Sequence, residues 1–323
     1  MERNIEIDIM KGIAILCVML GHSSWVSNAL LTVICSFHMP LFFLVSGYYQ
    51  KTHEEVSVSW GGYVRKNAKQ LLVPYAIVAC VSCLWAALAS IYKNDGNIFI
   101  HILASNIFAW DTQWGIFDHW DGPTWFLLAL FWARLFFYWL SKIGKCFVPL
   151  CISLSVAMIF IHPYLPLPFG IGRGIEALIF IALGWSFRHC SFPKWILLFP
   201  IVCWPISLWL GKIDMWSYHY NCLPIDILGA CGGTLVIYWL SKCVAKTFMM
   251  PFFSWCGRNS LIILCAHSME YNITLIKHIV LLLPFKLPVL LIDGVKHFTA
   301  IFGAWIYTMC KTIWYGAEKV QEN

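Results

Sequence analysis

Long apolar stretches recur along the chain, joined by short polar or charged segments. Each stretch is about long enough to cross ~30 Å of hydrocarbon, which takes ~20 helical residues. Ten segments are read, at approximately 9–27, 30–49, 71–92, 123–140, 146–161, 171–187, 195–210, 224–240, 259–276 and 287–309. The fifth and seventh are short and carry prolines. Lipid offers no partner to an unpaired peptide group, so such segments are expected to be helices. A membrane β-barrel would show short alternating strands instead. The pattern therefore predicts an all-α, polytopic transmembrane helical bundle of about ten spans. Residues 1–323 are expected to form this single integral membrane domain, with no soluble domain. The first apolar run, Ile9 to about Val26, is long for a signal core and lacks a small-residue cleavage site, so it is expected to remain as the first span.

Composition supports the membrane assignment. Of 323 residues 60% are apolar, 17% aromatic and only 12% charged, against about 25% charged in soluble domains. The fourteen cysteines sit mostly inside apolar runs, where a thiol behaves as a small apolar group, and suggest neither a disulfide framework nor a metal site. Charge then sets orientation. With the N-terminus cytosolic, fifteen lysines and arginines, from Arg3 and Lys11 to Lys319, fall on one set of loops and ends. Five fall on the other: Lys93, Arg173, Lys212, Lys277 and Lys286. That bias predicts cytosolic termini. The net charge of +6 is thus a topology signal, and no basic stripe suggests nucleic acid. Two joints are long: a basic cytosolic loop over 51–70, expected on the membrane surface, and an outer loop over 93–122 with an amphipathic piece and Asp95, Asp111, Asp118 and Asp121.

An ionisable residue inside a membrane is costly and is a functional candidate by default. The first span holds the best set. Lys11 and His22 are eleven residues apart, which at about 100° per residue returns almost to the same face and at 1.5 Å rise spans ~16 Å. Asp8, three residues before Lys11, is placed to pair with it. Such a line suits a coenzyme A thioester: phosphates at cations near the water interface, the pantetheine arm threaded inward, and an imidazole able to take a hydroxyl proton near neutral pH. Arg65, Lys66 and Lys69 could add phosphate contacts. His38 lies beside Pro40, which should kink the second span. His267 and Glu270 share a face of the ninth, where Glu270 could orient His267. An interhelical hydrogen-bonding histidine is the plain alternative for His22, and packing is the plain alternative for His38 and Glu270. Arg173 with Glu176, and Asp293 with Lys296, read as mutually neutralising pairs, and Arg134 as a residue facing a helix interface or snorkelling. Asp226 reads as a helix cap. Trp114, Trp120 and Trp125 read mostly as interfacial belt residues.

Four segments carry a resemblance. The first reads Ile7-Asp8, Lys11-Gly12 and Gly21-His22. The second holds Phe37-His38-Met39-Pro40-Leu41-Phe42-Phe43 and Ser46-Gly47-Tyr48. The fourth begins Gly122-Pro123-Thr124-Trp125-Phe126-Leu127-Leu128. The ninth runs from Gly257-Arg258-Asn259-Ser260-Leu261 to His267. In this order, over nearly the whole chain, they resemble the integral membrane acyltransferase-3 family, most closely its fucose 4-O-acetylase-like branch. The family's signature is an arginine, ten residues and a histidine. Here Lys11 holds the cationic position, so the bidentate fork is lost, and the lysine form also occurs in that branch. The resemblance implies a membrane O-acyltransferase that moves an acyl group, most often acetyl from cytosolic acetyl-CoA, to a hydroxyl of a cell-surface or exported carbohydrate. It places His22 in the catalytic role; His267 also matches a motif position, and the residue reading puts His267 and Glu270 in catalytic support. Lys11, Asp8, Arg65, Lys66 and Lys69 are then assigned to the donor, and His38, Ser46, Tyr48 and Trp125 to the acceptor.

The expected partners are acyl-CoA, a carbohydrate or lipid-linked glycan acceptor and membrane lipid. No metal is expected, and a homo-oligomer is compatible with the reading. The expected location is the bacterial inner (cytoplasmic) membrane. Two other readings use the same charges: a transporter or exporter of a polysaccharide or acylated precursor, and an O-succinyltransferase or enzyme of other acyl specificity. Binding of coenzyme A separates the first from an acyltransferase.

Overall fold

A computed structural model describes residues 4–94, 96–108, 122–165, 167–273 and 289–321. Among these residues the protein is all-helical, apart from one isolated antiparallel bridge between Asp214 and His219. The helices are α1 Ile5–Gly21, α2 Asn28–Tyr48, α3 Trp60–Asn67, α4 Val73–Lys93, α5 Gly96–Phe108, α6 Trp125–Leu140 and α7 Phe147–Ile161. They continue with α8 Ile171–Glu176, α9 Leu178–His189, α10 Leu198–Leu210, α11 Leu223–Val244, α12 Met250–Arg258, α13 Ser260–Ile273 and α14 Val289–Gln321. Each of the ten apolar segments holds a helix. Among the described residues, four stretches are long and apolar enough to cross a membrane: Asn28–Tyr48, Trp60–Tyr92, Gly122–Ile143 and Leu223–Val244. Phe147–Ile161, Trp195–Leu210 and Ser260–Met269 are shorter apolar helices. The outward faces agree with a lipid surround. On α10, Phe199, Val202 and Trp209 are exposed, a pattern a water-facing helix would not tolerate. The protein is an integral membrane protein.

The first span departs from its expected length. The apolar run reaches residue 27, but α1 stops at Gly21, with His22 as its C-cap at φ −95°, ψ 6°. The segment at 171–187 likewise divides into α8 and α9 at Ala177. The start of α1 follows local rules: Asn4 caps it, its side chain accepting from the Ile7 N–H at 3.1 Å, and Glu6 and Asp8 occupy the positive first turn. Beyond the cap, Ser24 donates from both its backbone N–H and its hydroxyl to Asp293 of α14, at 2.9 and 2.8 Å. Ser23 Oγ lies 2.6 Å from His297 Nε2. The end of α1 is therefore tied to a helix nearly the whole chain away. Asp293 also pairs with Lys296 at 3.8 Å, as the sequence suggested.

α6 sits at the centre of the bundle. Leu127, Leu128, Ala129, Ala133 and Phe137 are all 0% exposed, as are Phe43 of α2 and Phe180 and Ile181 of α9. Several helix crossings depend on glycine, and two of them on glycines from both helices. A Cβ on Gly257 of α12 would collide with the Asp8 carbonyl of α1, and one on Gly12 with that of Phe253. Gly47 and Gly184 meet the Ile181 and Leu44 carbonyls in the same way, joining α2 to α9. Small residues let membrane helices touch backbone to backbone, which is why Gly47 follows Ser46 in the second motif.

Between α3 and α4 the chain runs through a π-turn, Ala68–Leu72, with the Val73 N–H bonded to the Ala68 carbonyl. Pro74 explains it. Proline lacks an N–H, and its ring presses on the carbonyl four residues back, so a widened turn relieves the clash. Cys80 and Cys83 are spaced as C-x-x-C, but they stand on α4 as free thiols, and Asn106 of α5 donates to Cys83 Sγ at 3.8 Å. Cys83 thus faces α5, whereas Cys80 is exposed. The amphipathic piece expected in the 93–122 loop corresponds to α5. The acidic residues named there (Asp95, Asp111, Asp118, Asp121) and Trp114 and Trp120 lie outside the described residues.

Candidate functional site

α1, α2, α3, the π-turn and α6 enclose a chamber of about 510 Å³. Lys11 and His22 both line it, as expected of two residues on one face of α1. Lys11 pairs with the buried Asp8 at 3.0 Å, so Asp8 supports Lys11 from behind and does not itself line the space. His38, Ser46 and Lys66 also line it. Arg65 and Lys69 do not; both are exposed. The helical turn that brings Lys66, Asn67 and Gln70 to the chamber rotates them away.

Sequence alone makes Arg134 an interface or snorkelling residue; the structure places it at an interface of α6 with α2, α3 and the π-turn, and adds that it lines the chamber. Its Nε donates to Ser46 Oγ at 3.0 Å, and its Nη1 donates to Gln70 Oε1 at 3.1 Å and Asn67 Oδ1 at 3.4 Å. Three neutral oxygens hold the cation without neutralising it. Nη2 has no protein partner among the described residues. The only available signal was the charge itself in an apolar segment, since no carboxylate lies within a helical turn of it. Gln50 and Tyr63, also in the wall, bond to each other at 2.6 Å. At the mouth stand Lys51 and Glu55. Burial works to raise the Glu55 carboxyl, but hydrogen bonds from Thr52 at 2.8 and 3.1 Å and the neighbouring His189 outweigh it and hold the group below its ordinary value. The mouth thus carries one fixed negative charge among the cations Lys11, Lys51, Lys66 and Arg134.

His38 is held in one tautomer. Its Nδ1 lies 2.7 Å from the Ile34 carbonyl. A carbonyl cannot donate, so Nδ1 carries the hydrogen and Nε2 of the neutral ring is an acceptor. His267 does not line the chamber. It is 2% exposed, its ring centroid lies 5.4 Å from that of His22 and 5.8 Å from that of His297, and neither of its nitrogens has a hydrogen-bond partner among the described residues. The side chain of Glu270 lies outside the described residues. Tyr48 faces α9 instead: its carbonyl accepts from Arg188 at 3.1 Å and its ring lies 5.5 Å from that guanidinium. Trp125 lies under Arg173, 5.6 Å from its guanidinium carbon, and Arg173 also donates to the Trp216 carbonyl at 3.2 Å. Asp226 is fully buried and accepts from the Asn221 and Cys222 N–H groups at 2.7 and 2.8 Å and from Ser207 Oγ at 2.5 Å, fixing the entry to α11.

The model of an acyltransferase domain matches residues 4–310. The chain belongs to the acyltransferase-3 family. It is also similar to the nodulation protein NolL of Sinorhizobium fredii (strain NBRC 101917 / NGR234), with 28% identity over 243 residues, 69% of this chain and 61% of that protein. The chain thus spans less than two thirds of its relative's length. No solved structure matches it.

Proposed function

We propose that the protein is a membrane O-acyltransferase that moves an acetyl group from acetyl-CoA to a hydroxyl of a cell-surface or exported carbohydrate, in the bacterial inner membrane. One observation carries the reading: a single chamber runs from a cationic mouth to two imidazoles. Its 510 Å³ falls within the ~300–1,000 Å³ of ordinary small-molecule sites. Lys11, Lys51, Lys66 and Arg134 supply cations for the phosphates of the donor. Arg134 adds a planar fork on α6 that Lys11, in the position of the family's arginine, does not provide. A transport reading would use the same charges but has no need of coenzyme A, so donor binding separates the two. In this reading the chain forms about ten spans with both termini cytosolic, and the fucose 4-O-acetylase-like motifs point to a sugar acceptor.

In the reaction, a His22 ring nitrogen takes the proton of the acceptor hydroxyl as the oxygen attacks the thioester carbonyl. The carbon–sulfur bond breaks, and the thiolate leaves as coenzyme A, taking up the proton. His38, with Nε2 as acceptor, takes a hydrogen bond from a neighbouring hydroxyl of the acceptor and so aligns the reacting one, whose single proton goes to His22. General acid–base catalysis contributes typically 10²–10⁴-fold. His22→Ala is therefore expected to lower coenzyme A release by at least ~100-fold while leaving the protein extractable and monodisperse. Wild-type turnover in that variant would end the assignment.

A further inference from the structure

A second cavity, of about 250 Å³, abuts the first from the other side of the imidazoles. Val18, His22, His38 and Met39 line both. The far wall of the second cavity comes from the connection between α10 and α11, through Lys212, Asp214 and Trp216. In the orientation set by the charge bias, Lys212 stands on the outer side, opposite the Lys51–Lys66 mouth.

That connection is a built platform. Asp214 and His219 exchange backbone hydrogen bonds at 2.9 Å each way. Ile213, Met215 and Tyr218 are buried beneath it. The Trp216 N–H donates to Asp214 Oδ1 at 3.0 Å, and Arg173 holds the Trp216 carbonyl. Asp226 pins the chain again at Asn221 and Cys222. Lys212 Nζ lies 3.3 Å from Asp214 Oδ2, with both side chains partly exposed. The cavity therefore presents a carboxylate that accepts, an ammonium that donates and an indole in a space below that of a drug-sized ligand.

We propose that this cavity is the acceptor subsite and that it takes a single pyranose ring: Asp214 and Lys212 bind its hydroxyls, Trp216 lies against its apolar face, the reacting hydroxyl points at His22, and a neighbouring hydroxyl donates to His38 Nε2. The inference rests on the acyltransfer reading. The two substrates then approach from opposite sides, and the imidazoles they share are where the hydroxyl meets the thioester. Met39, a flexible thioether, is the other part of the partition. The volume also sets the class of acceptor: one sugar unit enters, so a longer glycan is modified at an end or on a residue presented by itself.

The test uses the purified full chain in nanodiscs with the methyl pyranosides of glucose, galactose, mannose, fucose and N-acetylglucosamine as probes. Binding is read by saturation-transfer NMR without acetyl-CoA, and coenzyme A release is read with it. At least one pyranoside is expected to bind. Trp216→Ala and Asp214→Asn are each expected to weaken that binding and raise its KM at least tenfold, without a matching change in the KM for acetyl-CoA. Asp214→Asn keeps an oxygen for the Trp216 N–H, so it guards against simple loss of the platform. If no pyranoside binds the wild type, or binding and KM are unchanged in both variants, the subsite is overturned even where acetyl-CoA is turned over. If pyranosides bind and the variants lose them but acetyl-CoA is never consumed, the subsite stands and the acyltransfer reading falls.

Discussion

Arg134 offers the sharpest test of how the donor is held. Its guanidinium is fixed by Ser46, Asn67 and Gln70, all neutral acceptors, so its charge is available to a ligand. A hydrogen bond to a charged group contributes about 1.5–3 kcal/mol. Removing one such bond to a phosphate by Arg134→Met should then raise the KM for acetyl-CoA roughly 10- to 100-fold, at about 1.4 kcal/mol per decade. Arg134→Lys keeps the charge but loses the fork, so it should fall between the two. Methionine also leaves three side-chain oxygens without their donor, and a structural defect could imitate weakened binding. Acetyl-pantetheine separates them, because it carries the thioester and no phosphates. Coenzyme A or pantetheine release would be measured by thiol titration over a range of each donor. The variant should cost 10- to 100-fold with acetyl-CoA and little with acetyl-pantetheine. An equal drop with both donors would show that Arg134 shapes the chamber without binding phosphate.

Three further outcomes are expected. Lys11→Met should raise the KM for acetyl-CoA and lower stability, because it leaves the buried Asp8 carboxylate without its 3.0 Å partner, whereas Lys11→Arg should keep turnover; equal behaviour of the two variants in activity and melting assays would count against a charge role. Gly257→Val should lower the melting temperature, since any Cβ there meets the Asp8 backbone of α1 and overpacking costs about 1–3 kcal/mol or more; an unchanged melting curve would mean that α1 and α12 separate freely. Asp293→Asn should weaken the tie to Ser24 and Lys296 by about 1–3 kcal/mol, seen as faster hydrogen exchange at residues 22–24, and unaltered exchange would remove that tie from the account.

The elements were legible because period and length carry them: every apolar segment read from the sequence holds a helix, with ends within a few residues for most. The Lys11–His22 line was legible for a related reason. Eleven residues make just over three turns, so two such side chains on one helix lie on one face whatever packs around them. The Asp8–Lys11 and Asp293–Lys296 pairs followed from the same local rule. What the sequence concealed is non-local. Arg134 acquires its meaning from Ser46, Asn67 and Gln70, on elements 64 to 88 positions away in the chain, and no helical period links them. The stop of α1 at Gly21 was equally hidden, because Ser23 and Ser24, just beyond it, are held by α14. Lys212 was read only as an outer-loop charge, and only the bridge between Asp214 and His219 and the buried Ile213 and Met215 turn that loop into a wall.

The early end of α1 bears on the chemistry. A histidine inside a regular helix is surrounded by its own satisfied backbone. His22 instead caps the helix, at the point where the chain turns towards Ser23 and the α14 tie, and it borders both cavities. His38 reaches the same border from the middle of α2, with its Nδ1 already committed to Ile34, so it accepts a hydrogen bond through one nitrogen only. A residue with a fixed tautomer is suited to accepting from a neighbouring hydroxyl of the acceptor and so positioning the reacting one, and one at a helix end, anchored from outside its helix, is suited to taking the proton and giving it back. In the proposed reaction the two imidazoles are thus not interchangeable, although the sequence presents both simply as histidines in apolar surroundings, and the difference between them comes from the backbone on which each one stands.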